Sequence, residues 1–211
     1  MIVGIRAYFY KLAIHSDICL SQRSYSIIRL LYYYKCKWEP SGKYDIVIER
    51  ALIIGYGNVY CRDDGVALYI INCLRKQSGL RELQPDEDGL DELGHSLDTA
   101  LLHQLVPEII PLVTQYQKVV FVDAHKGIIP DDVRVVEVKE EMGFHAVTHH
   151  MSPGMLLAIA RQTQRFAPEG HLVSVKGEDF DFGLGLSEPC KIRADAAVQK
   201  ILELVKSKDE K

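Results

Sequence analysis

The chain lacks any apolar run of the roughly 18 to 20 residues needed to span a bilayer, so a membrane-spanning helix is not expected. Its opening stretch, Met1 to Leu20, is interrupted by Arg6, Lys11, His15 and Asp17 and makes a poor signal peptide. No excess of positive charge is present. The formal net charge of −4 gives no electrostatic footprint for nucleic acid or an anionic membrane. Among the 5 cysteines no two form a C-x-x-C, which argues against a zinc ribbon, a disulfide framework and a thioredoxin-type redox site. Scattered thiols fit a reducing cytoplasm, and Cys61 reads as a loop packing residue. Gly-x-Ser-x-Gly, Walker A and His-Glu-x-x-His patterns are also missing, so the common hydrolase and phosphate-loop signatures give no lead.

What is there is an ordinary globular composition, 47% hydrophobic and 26% charged, over 211 residues, enough for one good core. Residues 1–44 differ from the rest. They are rich in tyrosine, isoleucine and basic residues, and end near Pro40-Ser41-Gly42. They are treated as an extension of uncertain structure, with residues 45–211 as a self-sufficient domain.

In that domain strand and helix patterns alternate, which predicts an α/β fold: three layers, α/β/α, with a central, mostly parallel twisted sheet of the phosphorylase/hydrolase-like kind. Ala51 to Gly55 is the first strand, and Val66 to Leu74 follow at helical spacing until Ser78-Gly79. Residues 84–96 read mostly as loop. Leu101 to Gln117 reads as a helix broken near Pro107 and Pro111. Val119 to Val122 and Val133 to Val138 read as strands. Ser152-Pro153 supplies an N-cap and first-turn proline for a helix to Arg165. A strand over His171 to Val175, a glycine-rich loop over 177–187 and a helix from Lys191 to Val205 complete the domain.

Three features fall at strand ends or helix starts: Asp63-Asp64, Asp123, and Thr148-His149-His150. In a parallel sheet the two acidic positions share the carboxyl edge, where α/β proteins bind ligands. Two carboxylates and an imidazole form a mixed oxygen and nitrogen set that suits Ni²⁺ or Zn²⁺ and leaves coordination positions open. Taken singly, each piece is more often a helix cap or a solvated loop residue. Gly55-x-Gly57 is weak too, since the third glycine of a dinucleotide fingerprint is absent.

Taken together the blocks are specific. Gly55-Tyr56-Gly57-Asn58 with Asp63-Asp64-Gly65-Val66, Val122-Asp123-Ala124, Thr148-His149-His150-Met151-Ser152-Pro153 and Gly183-Leu184-Gly185-Leu186-Ser187 stand in order across about residues 48–205. This pattern resembles the [NiFe]-hydrogenase maturation endopeptidases. The resemblance implies an endopeptidase that removes a C-terminal extension from a hydrogenase large-subunit precursor once nickel has been inserted. By position, Asp64, Asp123 and His149 would be the metal-binding and catalytic groups. His150 is the neighbouring rival, and the spacing back from Met151 favours His149. The nickel would arrive in the substrate, and no organic cofactor is implied. The alternative is a non-catalytic α/β binding module, or a chaperone for the same precursor. The family's frequent Gly-Thr loop is replaced here by Leu101-Leu102-His103-Gln104, which leaves the type of hydrogenase open.

Overall fold

The computed structural model describes residues 35–38, 44–47, 50–127, 130–141 and 151–206. The chain divides between Ile48 and Glu49 into two units. In the first, strands β1 (Lys35–Trp38) and β2 (Tyr44–Val47) pair antiparallel.

The second unit begins with β3 (Ala51–Tyr56), whose residues 51–55 are buried. A strand covered on both faces needs apolar side chains at every position, and Ala-Leu-Ile-Ile supplies them. A 3₁₀ turn, Arg62–Gly65, leads into helix α1 (Val66–Gln77). Val66, Ala67, Ile70, Ile71 and Leu74 form its buried stripe at helical spacing. Then come β4 (Leu97–Leu102), the short helix α2 (Ile110–Val113), β5 (Lys118–His125) and β6 (Val133–Glu137). Helix α3 (Pro153–Gln164), β7 (Glu169–Lys176) and α4 (Glu188–Val205) complete the unit. Both long C-terminal helices start on a serine: Ser152 Oγ accepts from Met155 N–H at 3.1 Å, and Ser187 Oγ from Cys190 N–H at 3.4 Å.

The sheet runs in the order β4-β3-β5-β7-β6, parallel except for the edge strand β6. Ile53, Val120, Val122, Val173 and Val175 point to one face and pack under α1 and α4. Leu52, Ile54, Val119 and Phe121 point to the other, under α2 and α3. This is the expected three-layer α/β/α arrangement. No helix among the described residues is long and apolar enough to cross a membrane.

One element differs from expectation. Leu101 and Leu102 close a strand, β4, and do not open a helix; the helical part of 101–117 shrinks to a 3₁₀ turn at Pro107–Ile109 and the four residues of α2. The reason is pairing: Leu97 to Leu102 lie in parallel register with Ala51 to Tyr56, while the two prolines cut the rest of the segment into single turns.

The topology places a crevice. From β3 the chain crosses to β4 on one side, whereas β5 flanks β3 on the other. The loops leaving β3 and β5 therefore diverge, and between their carboxyl ends lies the switch point where open α/β sheets receive ligands.

A candidate active site at the switch point

Two acids reach this crevice. Asp64 comes from the turn after β3, and Asp123 from the end of β5. Gly55 is in register with Val122, so Tyr56 and Asp123 stand next along their strands.

The turn that carries Asp64 is tightly built. Asn58 N–H donates to Asp64 Oδ2 at 2.7 Å, and Asp64 N–H donates to the Cys61 carbonyl at 3.0 Å. The Asn58 side chain fills the bend, its amide nitrogen donating to Cys61 Sγ at 3.2 Å and its oxygen accepting from Tyr60 N–H at 3.0 Å. Gly57 is required by this path. Its φ is +140°, and a Cβ added there would stand 2.4 Å from the Asp64 carbonyl oxygen. Gly57→Ala is accordingly expected to cost about 1–3 kcal/mol of stability and to displace Asp64. Denaturant midpoints check this, and a variant as stable as the wild type would show the close approach to be unnecessary.

Neighbouring acids in this turn have separate tasks. Asp63 is fully buried. Its carboxylate accepts the backbone N–H groups of Glu178 (2.8 Å), Asp179 (3.0 Å) and Ser187 (2.7 Å), and the Ser187 hydroxyl at 2.7 Å. Burial pushes its carboxyl up, but those hydrogen bonds outweigh burial and hold it below the ordinary carboxylate value. Asp63 thus fastens the loop between β7 and α4 to the site, while Asp64 is left half-buried at the crevice.

Asp123 has the opposite environment. Burial is the main cause that lifts its carboxyl from 3.8 to about 6, and the nearby charge of Asp64 adds to it. Hydrogen bonds from Ala124 N–H, at 2.8 Å, and from the Tyr56 hydroxyl pull the other way. Tyr56 in turn is raised well above the ordinary phenol value, chiefly by burial and then by Asp123. The two carboxylates form ion pairs with no side chain among the described residues. Such a pair suits a cation brought by a ligand.

The third expected member, His149, lies outside the described residues, as do Thr148 and His150. Among the described residues no three His, Cys, Asp or Glu side chains converge as a metal site. The structure therefore brings Asp64 and Asp123 together and adds Tyr56, whose only sequence signal is its place between the two glycines. His125 follows two residues beyond Asp123 on β5. Its Nδ1 accepts from Gly127 N–H at 3.2 Å, and its Nε2 is buried with no hydrogen-bond partner among the described residues.

No protein-family model matches the chain. No curated protein matches it either. Solved structures do. The hydrogenase maturating endopeptidase HybD from E. coli superposes with a TM-score of 0.53 at 18% identity, over 74% of this chain and 91% of that one. The [NiFe] hydrogenase maturation protease HycI from Thermococcus kodakarensis KOD1 gives 0.51 at 18% identity, over 75% and 94%. A hydrogenase 2 maturation peptidase from a Thaumarchaeota archaeon gives 0.50 at 20% identity, over 74% and 97%. At these identities the likeness is one of fold.

Proposed function

We propose that the chain is an endopeptidase of [NiFe]-hydrogenase maturation, which removes the C-terminal extension of a large-subunit precursor after nickel insertion. The observation that carries this reading is the pairing of Asp64 with a desolvated Asp123 at the switch point of the fold that the hydrogenase maturation proteases share. The ordered sequence blocks support it independently.

The chemistry is hydrolysis of one peptide bond. Water adds to the scissile carbonyl, the C–N bond breaks, and a proton passes to the departing amine. Asp64, Asp123 and His149 recognise nickel already seated in the precursor and so bring the scissile bond to the crevice. A cation there polarises the carbonyl oxygen or holds it in place. Where the cation only holds the carbonyl in place, a carboxylate must take the proton of the attacking water, and Asp123, desolvated beside Asp64, is the one placed for it. Asp64, anchored by Asn58 N–H, supplies a fixed negative charge.

A phosphate-binding module of the same fold is disfavoured, because Asp63 and Asp64 sit in the turn that opens α1 and would repel an anion there. A purely chaperoning role has no use for a desolvated acid beside a second one. The test is incubation with nickel-loaded large-subunit precursor, with mass spectrometry following loss of its C-terminal peptide. Cleavage of the loaded precursor and none of the metal-free one is expected. Equal cleavage of both would overturn recognition of the metal, and no cleavage of either would overturn the reading as a whole.

A further inference from the structure

The loop between β7 and α4 is fixed along its length. Asp63 holds residues 178, 179 and 187, and the middle joins the Tyr60–Arg62 segment as a short parallel bridge. Gly183 N–H donates to the Tyr60 carbonyl at 2.9 Å, and Arg62 N–H to the Gly183 carbonyl at 3.0 Å. This rigid loop nonetheless holds Phe182 84% and Leu184 64% exposed. Large apolar groups kept in water by a well-bonded backbone mark a surface meant to be covered.

Beside them lies a cavity of about 540 Å³ between α1, α4 and the loop, within the range of about 300–1,000 Å³ usual for ligand pockets. Leu68, Leu184 and Leu186 give it apolar walls. Arg62, Lys76 and Lys191 outnumber the acids Glu82 and Glu188 in its lining, on a chain whose net charge is −4. Arg62 is partly engaged by Asp179 at 3.4 Å; the two lysines make no ion pair among the described residues. Arg62 and Gly65, both in the lining, bracket Asp63 and Asp64. One turn of chain thus separates the cavity from the catalytic crevice.

We propose that this cavity receives the C-terminal extension of the precursor: its apolar side chains lie against Leu68, Leu184 and Leu186, and its terminal carboxylate meets Lys191 and Lys76. The inference rests on the proposed function. An extension at the end of a chain offers a scissile bond at one end and a free carboxylate at the other. Apolar surface beside the turn that carries the acids, with two lysines lining the same cavity, is complementary to that pair of groups. Phe182 covers the segment that crosses from the crevice to the cavity.

The probe is a synthetic acetylated hexapeptide, Ac-Ala-Val-Leu-Leu-Val-Leu, made with a free carboxyl end and as its C-terminal amide. Each is titrated into the full isotope-labelled chain and followed by amide NMR. The acid should shift Leu68, Tyr69, Leu184 and Lys191, with the amide binding about five-fold more weakly, and Lys191→Gln should abolish that difference. Lys191 lies near the N-terminus of α4, where a positive charge is unfavourable, so its loss does not weaken the helix. Equal binding of acid and amide, shifts confined to other surfaces, or no binding would overturn the proposal. So would shifts that track protein concentration together with a doubled sedimentation mass, which would assign the cavity to a second copy. With precursor as substrate, Leu184→Asp should raise KM about tenfold and leave kcat nearly unchanged. Wild-type cleavage with an unaltered KM in Leu184→Asp refutes the docking site and leaves the proposed function standing. Peptide binding without any precursor cleavage does the reverse.

Discussion

Asp123→Asn is expected to lose precursor cleavage by about 10²–10⁴-fold and to gain stability near neutral pH. Under the proposed function the loss follows from removing the proton acceptor and one of the two charges offered to the cation. The gain comes from the burden that the native carboxylate places on the fold. Its pKa is raised to about 6 from an ordinary 3.8, mainly by burial. A raised acid contributes stability that is fully present below about 3.8 and is lost as pH rises through about 6. Above that window the ionised, desolvated group costs about 3 kcal/mol. The asparagine amide is itself a buried polar group and returns part of this, so a net gain of about 1–2 kcal/mol is expected. Thermal midpoints of both proteins at a mildly acidic and a mildly alkaline pH check it: the variant's advantage should grow with pH. An asparagine variant that is less stable at every pH would show that burial does not dominate at Asp123. Asp64→Asn should lose cleavage similarly while the turn stays intact, since its retained oxygen can still accept from Asn58 N–H.

Asp63→Ala should do the opposite and damage the fold first. Four donors converge on this one buried carboxylate, three of them backbone N–H groups from 115 to 124 residues away. Removing it strands them in a dry site, at a cost of at least about 3 kcal/mol. Asparagine is no remedy, because its NH₂ would face donors. Since hydrogen bonding holds the Asp63 carboxyl below its ordinary value of 3.8, its contribution is present above that pH and lost as pH falls through the lowered pKa. Urea denaturation near neutral pH should separate wild type from Asp63→Ala widely, and the gap should narrow in strong acid. A stable but inactive Asp63→Ala would exchange the roles assigned to the two neighbours.

The strands that carry the site are legible in the residues. Ala51 to Gly55 and Val119 to Val122 are continuous apolar runs ending in glycine or acid, which is what a strand covered on both faces requires. Ser152 announces its helix and does cap it, whereas α4 opens at Glu188, three residues before the expected Lys191, because Ser187 caps it there. Strand β4 is not legible for the same physical reason. Leu97-Asp98-Thr99-Ala100-Leu101-Leu102 is buried on both faces and shows no period, and its charge is hidden by distant partners. Asp98 is satisfied by Arg50 at 2.5 Å, the Tyr116 hydroxyl at 2.7 Å and the backbone of Gly94 and His95. In the site, acids at strand ends stand out at once. The division of labour between Asp63 and Asp64 does not, because it depends on which of two adjacent carboxylates meets residues 178, 179 and 187. Nor does the Tyr56 hydroxyl on Asp123, which exists only because β3 and β5 lie side by side.

The hold of Asp63 on the distant loop also sets an order of assembly. The turn that presents Asp64 is made early in synthesis, yet the partners that fix it arrive 115 to 124 residues later. Closing so long a loop is slow and entropically costly, so β3 must first find β5 and β7 before the turn has anything to grip. A nascent chain that has emerged only as far as β6 holds both acids of the pair but no frame to aim them. A chain that stops short of Ser187 therefore carries Asp64 and Asp123 without the contacts that fix the turn before α1.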